Sequence, residues 1–421
     1  MSANNGNKES NKSPAKLLNL CADVVVKYTS ITKMAIDGLP HELFPALLDA
    51  SLRELRVLPL SMLISNWPLT HLIYNRYNAY PKVQHLPLVY GILTHAIAAN
   101  IQDYLRENSK LKLIDLRSIP IDSYGMLAFA RAILDIDQYQ YPSHHHRHHL
   151  TFSFDHTVNC GSKRKQSTST KLSNRVSGMP SKKLKCGHHR LQLYIQCHVD
   201  QHNYHEVCQL LQLENSRVNV HIVSLRCQEM GCKKVLTLLR LLKCHEITDL
   251  NLDFNDLSGK YFQSLTQQLQ QCSRLTTLNL AYNNFNRMEI ALLSDTLLHL
   301  KTLRHVNLSG NRLTSILHQI IANLTPCITT LILNYCCLAN DDISALAHSQ
   351  LCQHLNQLHL ESNNLSQKLN PLKHLLSCTN NLTIIKLHDN GIDQTAYLSL
   401  CQAAPAIEHV LAKWNEQDME Q

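Results

Sequence analysis

Apolar residues in the second half of the chain follow one eleven-residue pattern that returns six times. Successive copies begin 28, 28, 25, 27 and 27 residues apart. Each copy holds an apolar–polar–apolar core, which predicts a short strand with its apolar side chains turned inward. The stretches between copies, such as FQSLTQQLQQC and IALLSDTLLHL, have helical spacing and predict one helix per repeat. The copies are ITDLNLDFNDL from Ile247, LTTLNLAYNNF from Leu275, LRHVNLSGNRL from Leu303, ITTLILNYCCL from Ile328, LNQLHLESNNL from Leu355 and LTIIKLHDNGI from Leu382.

This frame, L-x-x-L-x-L-x-x-N/C-x-L, is that of the leucine-rich repeat. It predicts an α/β fold: a leucine-rich-repeat solenoid over residues 191–421, shaped as a horseshoe with parallel strands inside and helices outside. The ninth position of the frame is expected to bond backbone groups left open at the turn. Its occupants are Asn255, Asn283, Asn311, Cys336, Asn363 and Asn390.

Weaker copies flank the six clear ones. LQLYIQCHV from Leu191 alternates apolar and polar residues, and VNVHIVSLRC contains a partial frame that ends at Leu225. Both are interpreted as capping repeats that protect the open end of the core. LKLIDLRSIPI carries Ile114 and Leu116 in the same arrangement, so we expect it to join the solenoid. IEHVLAKW, near residue 410, is interpreted as half a repeat.

The net charge of +8 belongs to one segment. Between Ser143 and Arg190 ten basic residues face a single acidic one, so the rest of the chain is close to neutral. This segment, 143–190, has no apolar period and is predicted to be a basic disordered loop. It separates the solenoid from a helical region at 13–142, which follows a disordered tail at 1–12. Two basic clusters in the loop are either a solvated linker or a nuclear import signal: Lys163, Arg164, Lys165, Lys182, Lys183 and Lys185.

The remaining composition narrows the class of function. The start, MSANNGNKESNKSPAK, is polar, and no run of about 18 apolar residues exists, so we expect neither a secretory signal nor a membrane partner. The fifteen cysteines are expected to be reduced, in the cytoplasm, the nucleus or both. No catalytic, phosphate-binding or metal-binding motif is present, so we expect no enzyme, cofactor or metal. The basic loop lacks interleaved aromatics, so a nucleic-acid partner is not expected.

The opening stretch LLNLCADVVVKYTSITKMAIDGLPHELFPALL has a more specific pattern. Leu17, Cys21 and Val25 are four residues apart and lie along one drifting stripe of a helix that begins near Pro14. This stripe resembles the BC box, by which substrate receptors dock on the elongin B–elongin C adaptor. LPHEL, with Leu39, Pro40 and Leu43, resembles the cullin-2 box, which contacts the cullin. The other interpretation is an ordinary helix that caps the solenoid.

A wider resemblance supports the docking interpretation. LPHELFPALLDASLRELRVLPLSMLISNWPLTHL, followed by LKLIDLR, a basic loop and the repeats, is similar to the PRAME and leucine-rich-repeat-containing protein 14 family. That family is known as substrate receptors of cullin-2 ubiquitin ligases. The resemblance therefore implies that elongin C, elongin B and cullin-2 are partners and that a protein substrate binds the repeats. Two alternatives remain: an F-box receptor of a cullin-1 ligase, and a protein-interaction or inhibitor scaffold without a ligase.

The substrate surface follows from the repeat geometry. Side chains between the inward leucines point to the concave face of the solenoid, where they form a polar row of mixed charge. The candidate substrate residues are Asn251, Asp253, Asn279, Asn307, Asn334, His359, Glu361, Lys386 and His388.

Overall fold

A computed structural model describes residues 14–74, 86–105, 109–138, 190–213, 216–365, 369–403 and 409–411. The predicted tail at 1–12 and the predicted basic loop, apart from Arg190, lie outside the described residues. The two basic clusters predicted as an import signal lie outside them as well. None of the helices in the described part of the chain is long and apolar enough to cross a membrane.

The described strands form one sheet in which every strand pairs in parallel with the strands before and after it in sequence. This order is that of a solenoid, since each repeat contacts only its neighbours. The predicted leucine-rich-repeat architecture is confirmed. The strands are β1 (His71–Ile73), β2 (Leu113–Asp115), β3 (Leu191–Val199), β4 (Val218–Cys227), β5 (Asp249–Asn251), β6 (Thr277–Asn279), β7 (His305–Asn307), β8 (Thr330–Ile332), β9 (Gln357–His359), β10 (Ile384–Lys386) and β11 (His409–Leu411).

Helices connect successive strands and pack against the sheet. A single hydrophobic core runs from the first helix to the last through the described residues, and it contains the inward side chain of every central repeat strand. The helices are α1 (Pro14–Lys27), α2 (Thr29–Gly38), α3 (Phe44–Arg53), α4 (Val57–Ser65), α5 (Leu86–Tyr104), α6 (Ser123–Gln138), α7 (Tyr204–Leu211), α8 (Gly231–Leu241), α9 (Phe262–Leu269), α10 (Arg287–Leu297), α11 (Leu317–Asn323), α12 (Asn340–Ala347), α13 (Asn370–Cys378) and α14 (Gln394–Ala403).

A ladder of buried asparagines joins the repeats, as the frame predicts. The Asn283 amide donates to the carbonyls of Leu252 (2.9 Å) and Leu280 (3.0 Å). Its Oδ1 accepts from the backbone N–H groups of Asn255 (3.1 Å) and Leu257 (3.3 Å) in the preceding repeat. One side chain therefore satisfies donors and acceptors of two repeats at a turn that water does not reach.

Cys336 takes the asparagine position in one repeat. Its thiol donates to the carbonyls of Leu308 and Asn334, both at 3.4 Å. The side chain is fully buried, and burial raises the pKa of the Cys336 thiol to about 12. Because sulfur is a weak acceptor, this repeat is joined to the previous one less firmly than its neighbours are.

The sheet begins earlier than residue 191, where the sequence places the start of the solenoid. β2 pairs with β3 across the predicted loop, as expected for LKLIDLR. β1, in the region predicted as helical, extends the sheet by one more strand, which the sequence analysis missed. The N-terminal helices and the repeats thus share one core.

Candidate protein-interaction sites

The first helix has one face in the core and one in solvent. Ala22 and Val26 are buried, and α1 packs through this side on α3. The opposite side is apolar and open: Leu17 is 59 % exposed, and Cys21 and Val24 are exposed as well. Because Cys21 points away from the core, the packing of the domain does not require a cysteine there.

Val25 is placed differently from the other two residues of the predicted adaptor stripe. It is half-buried and packs on the core, and its carbonyl accepts a hydrogen bond from the Thr32 hydroxyl (3.1 Å). The helix ends at Lys27, and the chain has extended geometry at Tyr28 before α2 begins. The exposed apolar surface continues onto α2 through Ile31 and Met34, the latter 74 % exposed.

The predicted cullin-binding segment lies between α2 and α3. Leu39 and Leu43 are half-buried, whereas Pro40 is exposed at the start of a 3₁₀ turn at His41–Leu43. Leu39 has the extended backbone that a following proline favours. The half-buried leucines therefore face the core, and Pro40 and His41 form the solvent-exposed surface of the segment.

Two aromatic contacts and an ion pair hold this segment in place. Phe44 is buried and meets His41 and Trp67 edge-on, at ring-centroid distances of 6.1 and 6.2 Å. Trp67 donates its indole N–H to the carbonyl of His71 (3.0 Å), which ties the segment to the sheet. Arg53 on α3 pairs with Asp23 on α1 at 2.5 Å. The segment predicted to bind the cullin is thus held rigidly on the core.

The stability of the fold is expected to depend on pH through Asp49 on α3. Burial raises the pKa of Asp49 to about 6, and the nearby Arg53 opposes the shift. An aspartate whose pKa is higher in the folded than in the unfolded state destabilises the fold once it ionises, so stability falls as the pH rises from about 4 to about 6. We expect Asp49→Asn to raise the free energy of unfolding at pH 7.5 by roughly 1 kcal/mol, a value reduced for solvent screening.

The measurement for Asp49 is urea unfolding at pH 4.5 and 7.5. The gain from Asp49→Asn should be complete at pH 7.5 and only about a third as large at pH 4.5, which lies just above the pKa of the unfolded state. Asp37→Asn, on the exposed side of α2, is the matched control and should change neither value. A gain of equal size at both pH values would contradict the assignment.

The predicted substrate residues of the first repeats mostly shape their own turns. The side chains of Asn251, Asn279 and Asn307 accept hydrogen bonds from backbone N–H groups two residues later, each at 3.0 Å. All three side chains are half-buried on the concave face. Asp253 lies 4.0 Å from Arg226 of the preceding repeat. These residues form a polar concave surface, but part of their hydrogen-bonding capacity is already used within the solenoid.

The later repeats form a connected polar network. The Asn334 amide donates to Glu361 at 2.5 Å, and the other oxygen of Glu361 lies 2.9 Å from the His388 ring. The Nε2 atom of His359 is buried and has no hydrogen-bond partner among the described residues. Burial lowers the pKa of His359, and Lys386 adds to the shift. The structure therefore brings five of the predicted substrate residues together on one surface.

A groove that the sequence did not predict lies on the concave face of the N-terminal repeats. It has a volume of about 880 Å³ and runs from β1 to the start of β6. The rings of Tyr194 and His221 stack with their centroids 4.4 Å apart. The Arg117 guanidinium lies 5.2 Å from the centroid of the Tyr194 ring. Asp115 binds Arg117 at 2.6 Å, and Glu246 lies 2.8 Å from His221. This row of stacked, paired side chains lines the groove.

These features define a class of protein. A parallel leucine-rich-repeat solenoid with a polar concave face, preceded by helices that expose apolar side chains, is a protein-interaction scaffold. Residues 14–124 match the family model of the PRAME N-terminal domain, which confirms the resemblance to that family predicted from the segment that contains LPHELFPALL. That family and this fold are typical of non-enzymatic binding scaffolds.

The crystal structure of the leucine-rich repeat-containing protein LegL7 from Legionella pneumophila is similar over 52 % of this chain and 73 % of its own. The two sequences are 20 % identical and the TM-score is 0.37. No curated protein matches the sequence.

Proposed function

We propose that the chain is the substrate-recognition subunit of an elongin B/C–cullin-2 ubiquitin ligase in the cytoplasm, the nucleus or both. α1 docks on elongin C, the segment at Leu39–Leu43 contacts cullin-2, and the solenoid holds a protein substrate. The observation that carries this proposal is the outward position of Leu17 and Cys21 on a helix whose other face is already buried.

The physical argument concerns the solvent-exposed apolar area of α1. Leaving a leucine side chain in water forgoes roughly 1.5–3 kcal/mol that burial would provide. Leu17, Leu20 and Val24 are each more than half exposed within two turns of one helix. Contiguous apolar surface of this kind marks an interaction site, and a small, soft cysteine in its middle lets a partner approach closely.

The cullin contact is proposed on the same grounds. Pro40, His41 and Glu42 form an exposed ridge, and the half-buried Leu39 and Leu43 fix its position on the core. Because Phe44 is locked against Trp67, the ridge keeps a fixed orientation relative to α1. A rigid spacing between two docking segments is what a subunit needs if it is to contact an adaptor and a cullin together.

The mechanism is positioning. The solenoid binds a protein substrate on its concave side, and the N-terminal helices place that substrate close to the ubiquitin donor of the ligase. The rate of transfer then rises through effective concentration, and other subunits perform the chemistry.

The test is a pull-down from cell lysate with the full chain and with the Leu17→Ser, Cys21→Phe double variant. The blots are probed for elongin C, cullin-2 and the F-box adaptor. We expect the variant to lose elongin C and cullin-2 together and to keep its melting temperature, because both side chains lie outside the core. Leu398→Ser, at an exposed leucine on the distant helix α14, is the control and should retain both partners.

Other outcomes would overturn the proposal. Capture of the F-box adaptor by the wild type would assign the chain to a cullin-1 ligase. Capture of none of the three by the wild type would leave a non-ligase interaction scaffold, with α1 as a cap.

A further inference from the structure

Three exposed aromatic side chains occupy the same turn position of different repeats. Phe254, Tyr282 and Tyr335 each come directly before the ladder position, and they are 49 %, 39 % and 53 % exposed. They lie just beyond the carboxyl ends of strands β5, β6 and β8. We call this set the aromatic row. Side chains of this size in contact with each other and with water form an apolar patch that a folded monomer rarely leaves unused.

The fold does not require aromatic side chains at this position. All three residues have left-handed backbone geometry, with φ of 53°, 54° and 56°, which is rare for bulky residues. Other repeats fill the position with Gly310 and Ser362, which meet the same backbone requirement with small side chains. Aromatic residues that are both strained and exposed are better explained by binding than by folding.

The rings are also fixed relative to each other. Phe254 and Tyr282 stack face to face, with centroids 4.4 Å apart and planes 9° apart. Tyr282 and Tyr335 approach to 6.4 Å across Gly310, whose missing side chain leaves room for the Tyr282 ring. Three rings held in this way lose little freedom when a ligand binds them.

The charge around the aromatic row is mostly negative. Glu229 holds the equivalent turn position one repeat before Phe254, and its N–H donates to the Phe254 carbonyl at 3.2 Å. Because the repeats stack in sequence order, the exposed Glu229 and the stacked Tyr282 belong to the repeats on opposite sides of Phe254. Within two residues of this turn position in each repeat from Glu229 to Asp389, Arg312 is the one arginine or lysine, and Arg226 of the preceding strand lies 4.0 Å from Asp253. The acidic residues at these positions are Glu229, Asp253, Asp256, Glu361 and Asp389.

We propose that the aromatic row binds an arginine-bearing segment of a partner protein. A guanidinium lies flat on the free face of Phe254 and pairs with the Glu229 carboxylate, while the stem and neighbouring residues of the segment cover Tyr282 and Tyr335. Arginine fits better than lysine, because its planar group both stacks on a ring and bonds a carboxylate. The inference rests on the proposed role of the solenoid as the substrate-binding part, and it is independent of the adaptor.

The experiment uses the full chain and four fluorescein-labelled twelve-residue peptides in low-salt buffer. One peptide carries three arginines spaced by Gly-Ser pairs, a second has citrulline and a third lysine in their places, and a fourth is proline-rich. Fluorescence anisotropy reports the dissociation constants. We expect the arginine peptide to bind at least tenfold more tightly than the citrulline peptide and more tightly than the lysine peptide.

Variants locate the site. Phe254→Ser and Glu229→Gln are each expected to weaken binding of the arginine peptide about fivefold, and Tyr335→Ser somewhat less. Tyr124→Ser, at a tyrosine on α6 that is 65 % exposed, is the matched control and should bind as the wild type does. All variants should still capture elongin C, so that failure here is distinguishable from failure of the ligase proposal.

Three results would overturn the inference: equal binding of the arginine and citrulline peptides, preferential binding of the proline-rich peptide, or unchanged affinity in the Phe254→Ser and Glu229→Gln variants. Absence of measurable binding by the arginine peptide would overturn the inference as well.

Discussion

Replacement of Asn283 by alanine is expected to lower the free energy of unfolding by roughly 4 kcal/mol. The substitution removes the acceptor of two backbone N–H groups, those of Asn255 and Leu257, and the donor to the Leu252 and Leu280 carbonyls. All of these groups are buried at the junction of two repeats, where water cannot replace the amide. Each unpaired group then contributes about 1 kcal/mol or more of desolvation cost.

Urea unfolding followed by circular dichroism measures this loss. Asn364→Ala is the matched control, because Asn364 is exposed next to a ladder residue, and it should change stability by less than about 0.5 kcal/mol. In a solenoid a weak junction uncouples its neighbours, so we also expect a broader transition in the Asn283 variant. A loss below 1 kcal/mol with an unchanged slope would contradict the structural role of the ladder.

The repeats could be predicted because each fixed position of the frame requires the same residue type in every repeat. Each frame needs two inward apolar residues on its strand and one amide at its turn, and these recur at a nearly constant interval. β1 could not be predicted in this way. It has three residues, and Leu72 is its only buried side chain, so the sequence around it carries no periodic signal. Its position is set by pairing with β2, which is a tertiary effect.

The break between α1 and α2 also lacks a local signal. Neither glycine nor proline occurs near Tyr28, and the chain turns there because Ala22 and Val26 pack on α3 while Thr32 and Ala35 face the core from a new direction. The end of α2 does have a local signal, since the helix stops at Gly38, two residues before Pro40.

The three residues of the predicted adaptor stripe differ in exposure for a geometric reason. A spacing of four residues advances about 40° beyond a full turn, so two such steps carry Val25 roughly 80° away from Leu17. That rotation is enough to move Val25 to the edge of the core while Leu17 and Cys21 stay in solvent. Val24, which the motif does not name, lies on the exposed face instead.

The groove and the aromatic row were missed for different reasons. The groove is lined by Arg117, Tyr194 and His221 from repeats that do not match the frame, so sequence comparison gives no reason to align them. The aromatic row had a usable signal: Phe254, Tyr282 and Tyr335 all stand one residue before the ladder position in DFN, AYN and NYC. Comparison of the variable positions of the frame, and not only of its leucines and asparagines, would have found it.

Replacement of Gly310 by alanine is expected to lower the free energy of unfolding by roughly 3 kcal/mol. Gly310 has a φ of +69°, where an added Cβ costs about 1–2 kcal/mol. That Cβ would also lie 2.2 Å from Cδ1 of the Tyr282 ring and 2.8 Å from its Cγ, so the ring as a whole would have to leave its place. Overpacking of this kind adds about 1–3 kcal/mol.

The Tyr282→Ser background separates the two contributions, with urea unfolding as the measurement. Without the ring, Gly310→Ala should cost only about 1–2 kcal/mol, because the backbone strain remains and the steric overlap does not. A difference of 1 kcal/mol or more between the costs of Gly310→Ala in the two backgrounds would show that the Tyr282 ring packs against Gly310. The aromatic row would then be held in place by the fold. Equal costs in both backgrounds would mean that the ring moves freely, and the row would then lose the rigidity on which its binding of a guanidinium depends.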